Sequence, residues 1–252
     1  MRENIETVAI ITGASRGLGQ ALALGLMNHS TAVITVSRSH DAVLAMHAND
    51  HGYDLQQIQA DLANPAAAEQ AAHTIMASLP ATARRYVLIN NAGMVDPMAL
   101  ADQLDTAAPI TAAFTLNVTS VMLLTSAFLQ AVRPLKADIR IMNISSGAGR
   151  GPTPGWGVYC ATKAALDLYT RVVDAEQHGV KIVAIAPGVV DTAMQTGIRE
   201  ASPDNFPNVA RFQALHTQGQ LASPENVAAR LLNYLNDTSF GTTVIDDIRN
   251  HS

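Results

Sequence analysis

The chain has few of the residues that mark extracellular, metal-binding or nucleic-acid-binding proteins. Its 252 residues contain one cysteine, Cys160, which excludes an intrachain disulfide and a cysteine metal cluster. The eight histidines are scattered without a neighbouring cysteine, so we interpret them as surface residues and predict no metal site. The formal net charge is −5 and no basic run exists, which argues against nucleic acid. We therefore expect small-molecule chemistry in a reducing compartment, the cytoplasm.

The sequence also lacks the apolar segments typical of secreted or membrane proteins. The N-terminal stretch MRENIETVAIITG has a strand-sized apolar run and no small-residue cleavage site, so we expect no secretory signal. The most apolar long segment, residues 112–132, is interrupted by Asn117, Thr119, Ser120 and further polar residues. We interpret this segment as a helix buried on both sides and predict no membrane contact.

Seven short runs rich in β-branched or apolar residues predict the strands of a parallel sheet. Helical stretches long enough for crossover connections separate most of them, a pattern typical of α/β folds with helices on both faces. Without a repeat or a linker, the chain is predicted to form one Rossmann-like, doubly wound domain with seven parallel strands. The predicted strands cover residues 7–12, 32–37, 55–60, 86–90, 139–145, 181–187 and 242–246.

Residues 194–219 break this alternation, and we predict an insertion there. The segment contains Pro203 and Pro207 and lies between the sixth strand and the last helix. It would cover the carboxyl edge of the sheet, where doubly wound folds bind ligands. We expect it to shape a substrate pocket, and a plain surface excursion is the alternative.

The stretch TGASRGLG, between the first strand and a helical run, predicts a dinucleotide site. Gly13, Gly17 and Gly19 are spaced G-x-x-x-G-x-G, which permits a tight turn and close approach of backbone N–H groups to a pyrophosphate. The motif alone is weak, and packing glycines are the alternative. Its position at the first strand-to-helix junction is what favours the cofactor site.

Residues near the end of the second strand predict NADP rather than NAD. An NAD site places a carboxylate there for the ribose 2′-hydroxyl, whereas this chain has Arg38 and Ser39, with Arg16 in the glycine turn. Two guanidinium groups would bind a 2′-phosphate through charge-assisted hydrogen bonds. Two solvated surface arginines are the alternative, and the nearby Asp41 leaves NAD open.

Tyr159 and Lys163 are four residues apart, which on a helix places them on one face. An ammonium group about 4 Å from the phenol oxygen would favour the phenolate by about 4 kcal/mol at an effective dielectric near 20, or about 3 pKa units. We therefore predict a phenol with a pKa near 7 that acts as a general acid. An aromatic residue that only packs the helix is the alternative.

These residues and several further motifs resemble the short-chain dehydrogenase/reductase family. The motifs follow the family's order over essentially the whole chain. They are TGASRGLG, DL at 61–62, NNAG at 90–93, Asn117, NISS at 143–146, Tyr159 with Lys163, and PGVVDT at 187–192.

The resemblance implies a catalytic set and a site for NADP(H). Asn117 would hold a water in a proton relay, or only cap or kink its helix, and Lys163 would also bind the nicotinamide ribose. Ser146, thirteen residues before Tyr159, would bind the substrate carbonyl, and Ser145 would be structural. The implied catalytic residues are Asn117, Ser146, Tyr159 and Lys163. The cofactor residues implied by motif and resemblance are Gly13, Ser15, Arg16, Gly17, Leu18, Gly19, Arg38, Ser39, Asp61, Leu62, Asn91, Ala92, Gly93, Tyr159, Lys163, Pro187, Gly188, Val190 and Thr192, and turn chemistry is the alternative for those at strand ends.

Within the family, the second half is most similar to sepiapterin reductases and bacterial benzil reductases. The resemblance rests on GWGVYCATKAALD, APGVVDTAMQ and GQLASPENVA, and implies NADPH-dependent reduction of one carbonyl of an α-dicarbonyl. Sepiapterin reductases have a pterin-binding aspartate near the C-terminus, but here Ile245 stands at that position, followed by Asp246 and Asp247. This departure favours a broader interpretation, a hydrophobic or aromatic α-dicarbonyl, with sepiapterin as one possible substrate. The substrate residues expected are Ser146, Trp156, Tyr159, Gly188 and Met194, and for Trp156 packing of the helix start is the alternative.

Two other functions stay open at this point. A 3-oxoacyl thioester reductase would have basic residues at the pocket mouth, where residues 194–219 contain only Arg199 and Arg211. A regulator that binds NADP(H) without turnover would share the fold, because a fold does not guarantee activity. The apolar segments 112–132 and 157–175 further predict a homodimer, with a tetramer left open.

Overall fold

The computed structural model describes residues 5–251, so the first four residues of the N-terminal segment interpreted above lie outside the described residues. Seven strands form one sheet in the order β3-β2-β1-β4-β5-β6-β7, and every neighbouring pair is parallel. The strands are β1 Thr7–Thr12, β2 Thr31–Ser37, β3 Asp54–Gln59, β4 Arg85–Asn90, β5 Asp138–Ile144, β6 Lys181–Ala186 and β7 Ile245–Asp247. The predicted Rossmann-like fold with seven parallel strands is confirmed.

Nine α-helices connect or follow these strands within residues 5–251. Several begin at a side chain that accepts a hydrogen bond from the first turn, as Asp41, Asn64 and Ser223 do. The helices are α1 Gly17–Leu26, α2 Ala42–His51, α3 Pro65–Ala77, α4 Ala107–Phe114, α5 Ser120–Val132, α6 Gly157–Ala175, α7 Ala193–Arg199, α8 Val209–Thr217 and α9 Pro224–Asn236.

The sheet separates two apolar layers because successive strand residues point to opposite faces. Ala9 and Ile11 face the layer that contains α1 and α9, whose helices pack against each other. Val8 and Ile10 face the layer that contains α3 and α5. Burial on both faces explains why most of the strands are nearly continuous apolar runs, whereas the edge strand β3, DLQQIQ, is only partly buried and polar.

The helical run Ala107–Val132 consists of α4, a π-helical turn at Thr115–Thr119, and α5. Within residues 5–251 it is the one helix long and apolar enough to span a membrane, and half of its most apolar window is buried in the fold. Leu124 and Phe128 are fully buried against the sheet, whereas the outer face, including Met122, is exposed. It is therefore a core helix with one open face, which differs from the predicted burial on both sides.

The last strand begins at Ile245 rather than at residue 242. Gly241 has a left-handed φ of 79°, and the Thr242 hydroxyl donates to the Ser239 carbonyl. These contacts keep residues 239–242 in a turn, so the edge strand starts later than predicted and is only three residues long.

The order of the strands places a crevice beside β1. From β1 the chain moves outward to β2 and β3 and then returns to β4 on the other side of β1. Such a reversal opens a crevice at the carboxyl ends of the two central strands, where ligands bind in open α/β sheets. The predicted motifs lie at the carboxyl ends of β1, β4, β5 and β6.

Candidate active site

The glycine turn after β1 is closed to side chains. Gly13 has φ +69°, and a Cβ there would lie 2.8 Å from the Ala92 Cα. A Cβ at Gly19 would lie 2.3 Å from the Gly13 carbonyl oxygen, so both positions require glycine for the close approach. The turn leads into α1, where Arg16 is the N-cap and makes no side-chain cap bond.

This turn fits a dinucleotide phosphate group. The first N–H groups of α1 have no capping side chain, and the helix dipole favours an anion at that end. Ser15 and Gly17 are partly exposed, whereas Leu18 is buried in the core below. Across the crevice, the Thr192 side chain lies 3.2 Å from the position of a Cβ on Gly17.

The loop after β4 is tied to the same turn. The Thr12 hydroxyl accepts from the backbone N–H groups of Asn91 and Ala92, at 3.0 and 2.9 Å. The Asn91 amide donates to the carbonyls of Thr12 and Gly13. The Asn91 side chain therefore holds the turn, and Ala92 packs against the core.

Cations without partners line the outer end of the crevice. Arg16, Arg38 and Ser39 are exposed, and within residues 5–251 neither arginine makes an ion pair. Asp41 is 6% exposed, and its carboxylate accepts from the backbone N–H groups of Val43 and Leu44 and from the Gln20 amide. Because these donors engage Asp41, it is not a free carboxylate for a ribose.

Asp61 and Leu62 follow β3 at the same end. Asp61 is exposed, and its carboxylate accepts from the Ala63 backbone N–H at 3.1 Å. Leu62 is buried in the core. The predicted contact of Asp61 with the adenine stays a prediction, and its side chain also serves the local turn.

Ser146 and Tyr159 meet at the carboxyl end of β5. Ser146 begins a 3-10 turn, Gly147–Arg150, and its hydroxyl oxygen accepts from the Ala148 backbone N–H at 3.1 Å. Its hydroxyl also lies close enough to the phenol of Tyr159 on α6 to lower the pKa of that phenol. Ser145, by contrast, is 2% exposed and donates to Asp167 at 2.5 Å, in agreement with the predicted structural role.

The predicted fall in the pKa of Tyr159 is wrong for this structure. Burial raises the pKa of the phenol above its usual value of 10.0, and the neighbouring Ser146 hydroxyl only partly opposes that rise. The Lys163 Nζ lies 5.8 Å from the centroid of the Tyr159 ring and donates to the Ile144 carbonyl at 2.8 Å. The phenol is therefore protonated at neutral pH, which is the form that a proton donor requires.

Lys163 is buried beside the loop after β4. Burial lowers its pKa from 10.5 to about 8, and the carboxylate of Asp167 opposes the decrease. A Cβ on Gly93 would lie 3.7 Å from Lys163 Nζ and 3.3 Å from the Asn117 Oδ1. The ammonium group, Asn117 and the loop at Gly93 thus surround one small space.

Asn117 lies in the π-helical turn between α4 and α5, a distortion often found at functional sites. Its amide accepts from the Met94 N–H at 2.9 Å and donates to the Met94 carbonyl and to Thr162 on α6, at 2.8 and 3.0 Å. Asn117 therefore fixes the position of the loop relative to α6. The predicted water relay to Lys163 stays a prediction.

The loop after β6 closes the other side of the crevice. Pro187 and Gly188 are partly exposed, and Gly188 has φ +78°. Val190 is buried and pairs with Ala222 in a short parallel bridge, so the loop is held from outside the sheet. Thr192 follows at the start of α7 and faces the glycine turn.

An aromatic cluster adjoins Tyr159. The Trp156 ring stacks on Phe206 with centroids 4.8 Å apart and meets the Tyr159 ring edge-on at 5.4 Å. Phe212 contacts both Trp156 and Phe206. Residues 194–219 thus fold back over the start of α6 as α7 and α8, while Met194 is 37% exposed and lies outside the buried cluster.

Two features of the site were not predicted. Phe206 and Phe212 were missed, although two of the five phenylalanines in one short segment are a visible signal. Asp167 was missed as well, although an acidic residue four positions after Lys163 shares its helix face. Arg150, which contacts Asp167 at 3.3 Å, carries no signal in the sequence.

Both carboxylates near the C-terminus are engaged by their neighbours. Asp246 is 4% exposed and accepts from His251 at 2.7 Å and Asn250 at 3.0 Å. Asp247 forms an ion pair with Arg249 at 2.7 Å. Neither is thus a free carboxylate for a ligand.

The histidines form no metal centre in the described part of the chain. His47 and His51 are spaced four apart on α2 with ring centroids 4.4 Å apart, and both lie near Tyr53. Across residues 5–251, no group of three or more histidine, cysteine or acidic side chains is arranged to hold a metal ion.

Comparison with protein families gives a match over most of the chain. Residues 7–203 match the family model described as short chain dehydrogenase. A benzil reductase ((S)-benzoin forming) from Bacillus cereus is 41% identical over 236 residues, which are 92% of this chain and 94% of that protein. A sepiapterin reductase from Meriones unguiculatus is 33% identical over 244 residues, 92% of each chain.

A solved structure has the same fold. It is the crystal structure of a proposed NAD(P)-dependent gluconate 5-dehydrogenase from Beutenbergia cavernae, with NADP bound at low occupancy. The TM-score is 0.81 at 26% identity, with 96% of this chain and 94% of that chain covered.

Proposed function

The chain belongs to the short-chain dehydrogenase/reductase family, and from that premise we propose that it is an NADPH-dependent reductase of aromatic α-dicarbonyls. One observation carries the proposal. Tyr159 is a buried phenol that is protonated at neutral pH and lies beside Ser146, at the edge of the sheet where the glycine turn opens. A proton donor beside a dinucleotide site suits the reduction of a carbonyl.

Ser146, Tyr159 and Lys163 have separate roles in the reduction of the carbonyl. When bound, NADPH supplies the hydride. Ser146 donates a hydrogen bond to the carbonyl oxygen of the substrate, and Tyr159 gives its phenolic proton to that oxygen as negative charge develops there. The ammonium of Lys163 stabilises the resulting phenolate until the phenol is protonated again. Asn117 keeps the loop at Met94 in place against α6.

The charges at the outer end of the crevice support NADP over NAD. Arg16 and Arg38 are exposed without ion-pair partners in residues 5–251, so both are available for a 2′-phosphate. The alternative carboxylate, Asp41, is held by the first turn of α2 and by Gln20. A third observation is that a solved structure with this fold contains NADP.

The surroundings of Tyr159 support an aromatic dicarbonyl rather than a pterin. Trp156, Phe206 and Phe212 form a buried aromatic wall behind the reactive phenol, which makes this side of the site apolar. Asp246 and Asp247 both have partners, so a free carboxylate for a guanidine-like edge is missing from that part of the described chain. The benzil reductase of Bacillus cereus is a relative whose named substrate is an aromatic diketone.

A 3-oxoacyl thioester reductase is supported less well. Of the two arginines in residues 194–219, Arg199 pairs with Asp191 at 3.5 Å and also donates to Thr196. Only Arg211 then stays available as a cation for a phosphopantetheine carrier in this segment.

The proposed function is tested by following NADPH absorbance with a substrate panel. We expect oxidation of NADPH with benzil and 1-phenyl-1,2-propanedione, slower turnover of sepiapterin and of a 3-oxoacyl thioester, and a much higher KM for NADH. Tight binding of NADPH without oxidation across the panel would contradict the proposal and favour a regulator. Faster turnover of the thioester than of either diketone would favour the thioester reductase.

We further propose that the protein acts in the cytoplasm as a homodimer. Apolar side chains are exposed on the outer faces of the helices predicted to pair: Phe114, Met122, Leu168 and Val172. Burying them against a second copy would remove apolar surface from water about a two-fold axis. Light scattering should give the mass of a dimer or a tetramer, and a charged residue in place of Leu168 should yield monomers.

A further inference from the structure

We infer that Asp167 is a positioning residue that holds Lys163 in its protonated form and fixes the strand end that carries Ser146. Asp167 lies one helical turn after Lys163 on α6 and is 7% exposed. It would not touch the reacting atoms. The inference on catalysis depends on the proposed function, whereas the inference on the charge of Lys163 does not.

Lys163 and Asp167 together clamp consecutive residues at the end of β5. The Lys163 ammonium donates to the Ile144 carbonyl at 2.8 Å. The Ser145 hydroxyl donates to the Asp167 carboxylate at 2.5 Å. Because Ser146 is the next residue, its backbone is set by two side chains from one face of α6.

Asp167 also closes the turn that follows. Arg150, at the end of the turn that begins after Ser146, donates from Nε to the second oxygen of Asp167 at 3.3 Å. Its Nη2 donates to the Asp246 carbonyl at 2.7 Å, which links this bridge to β7. Asp167 therefore joins Ser145, Arg150 and, through Arg150, the C-terminal strand.

The electrostatic role follows from burial. Lys163 is 5% exposed, so desolvation favours its neutral form, and Asp167 is the charged neighbour that opposes this. The other groups around the bridge are Tyr159 on the same helix, Arg150 on the turn and Asp247 on β7, which interacts with Arg150. Of these, Arg150 weakens the effect of Asp167 on Lys163, because its positive charge partly neutralises the carboxylate.

A lysine titration tests this directly, since the chain has only Lys136, Lys163 and Lys181. The protein is labelled with 13C-lysine, and the Cε resonances are followed against pH by NMR without cofactor. The variant Asp167→Asn keeps an oxygen that can accept from Ser145 and removes the negative charge beside Lys163. We expect the Lys163 midpoint to fall by about one pH unit.

The controls separate charge from structure. Asp174→Asn makes the same change two turns further along α6 and should leave the Lys163 midpoint unchanged. Asp167→Glu retains the charge and should restore most of the midpoint. An unchanged midpoint in a folded Asp167→Asn variant would overturn the inference.

A variant of opposite sign covers the case in which Asp167→Asn does not fold. Arg150→Gln removes the opposing cation from a side chain that is about one third exposed. Its Lys163 midpoint should rise by a few tenths of a pH unit. A fall or no change would contradict the inference.

The activity arm uses the proposed reduction. With NADPH and 1-phenyl-1,2-propanedione, the alkaline limb of kcat should move to lower pH in Asp167→Asn by the same amount as the NMR midpoint, and stay in place in Asp174→Asn. If the wild type does not oxidise NADPH at all, the proposed function fails, yet the NMR midpoint still decides whether Asp167 holds the charge of Lys163.

Discussion

The two ends of the crevice are built differently. At the end near β5 and α6, polar side chains are buried and hydrogen bonded: Lys163 to Ile144, Ser145 to Asp167, and Asn117 to Met94 and Thr162. At the end near β2, Arg16 and Arg38 extend into solvent without ion pairs in residues 5–251. The polar groups of the first region have partners within the protein, whereas the two arginines of the second are free to bind an anion.

This difference predicts different kinetic roles. Preorganised donors stabilise charge in the transition state without further ordering, so changes near Tyr159 should lower kcat. Exposed cations gain partners only when an anion binds, so changes at Arg16 and Arg38 should raise the KM for NADPH. A substitution near Tyr159 that mainly raised the KM for NADPH, or one at Arg16 or Arg38 that mainly lowered kcat, would contradict this comparison.

The largest effect is expected for Tyr159→Phe, which removes the proton donor and keeps the ring. We predict a decrease in kcat of about 10³-fold, because general acid catalysis contributes about that much, and a far smaller change in the affinity for NADPH. Steady-state kinetics and NADPH fluorescence titration measure the two quantities. Tyr169→Phe, the same change ten residues later on α6, is the matched control and should retain full activity.

A smaller loss is expected for Ser146→Ala. The variant removes the donor to the developing alkoxide and should lower kcat by about 10²-fold. Ser126→Ala, on the exposed side of α5, is the control. An effect of Ser146→Ala confined to KM would place this hydroxyl outside the preorganised end.

The cost of burying Lys163 should appear in the pH dependence of stability. Between pH 8 and 10.5 the unfolded chain binds a proton at this lysine that the folded chain has lost, so the free energy of unfolding rises with pH in this window. Relative to Lys163→Met, the wild type should gain about 2–3 kcal/mol between pH 7.5 and 10.5.

Urea unfolding at several pH values measures this difference. Lys136→Met, at an exposed lysine, should follow the wild type. If the free energy of unfolding changed with pH in the same way in the wild type and in Lys163→Met, Lys163 would not be desolvated. The described difference between the two ends of the crevice would then be contradicted at this residue.

The smallest effects belong to the outer end. Arg16→Ser and Arg38→Ser should each raise the KM for NADPH by about tenfold, because each removes one charge-assisted contact, and should leave kcat and the KM for NADH unchanged. Arg133→Ser, at an exposed arginine far from the crevice, is the control. A fall in kcat without a change in KM would contradict the assignment.

The sequence predicted the frame of the site better than its electrostatics. Strand positions came from apolar runs, because parallel strands buried on both faces leave that pattern. The direction of the pKa shift at Tyr159 was predicted wrongly. Helix spacing shows that Tyr159 and Lys163 share a face, but it shows neither the burial of the phenol nor the hydrogen bond from Lys163 to the Ile144 carbonyl. Arg150 and Asp246 are 96 residues apart, and local patterns do not reveal such contacts.

The most direct measurement of the central claim follows the hydride itself. The wild type is given benzil and NADPH deuterated at the transferred position of the nicotinamide, and the product is examined by mass spectrometry. We predict benzoin with one deuterium on the carbinol carbon, and only background product with Tyr159→Phe. Benzoin without deuterium, or undiminished product from Tyr159→Phe, would contradict the account.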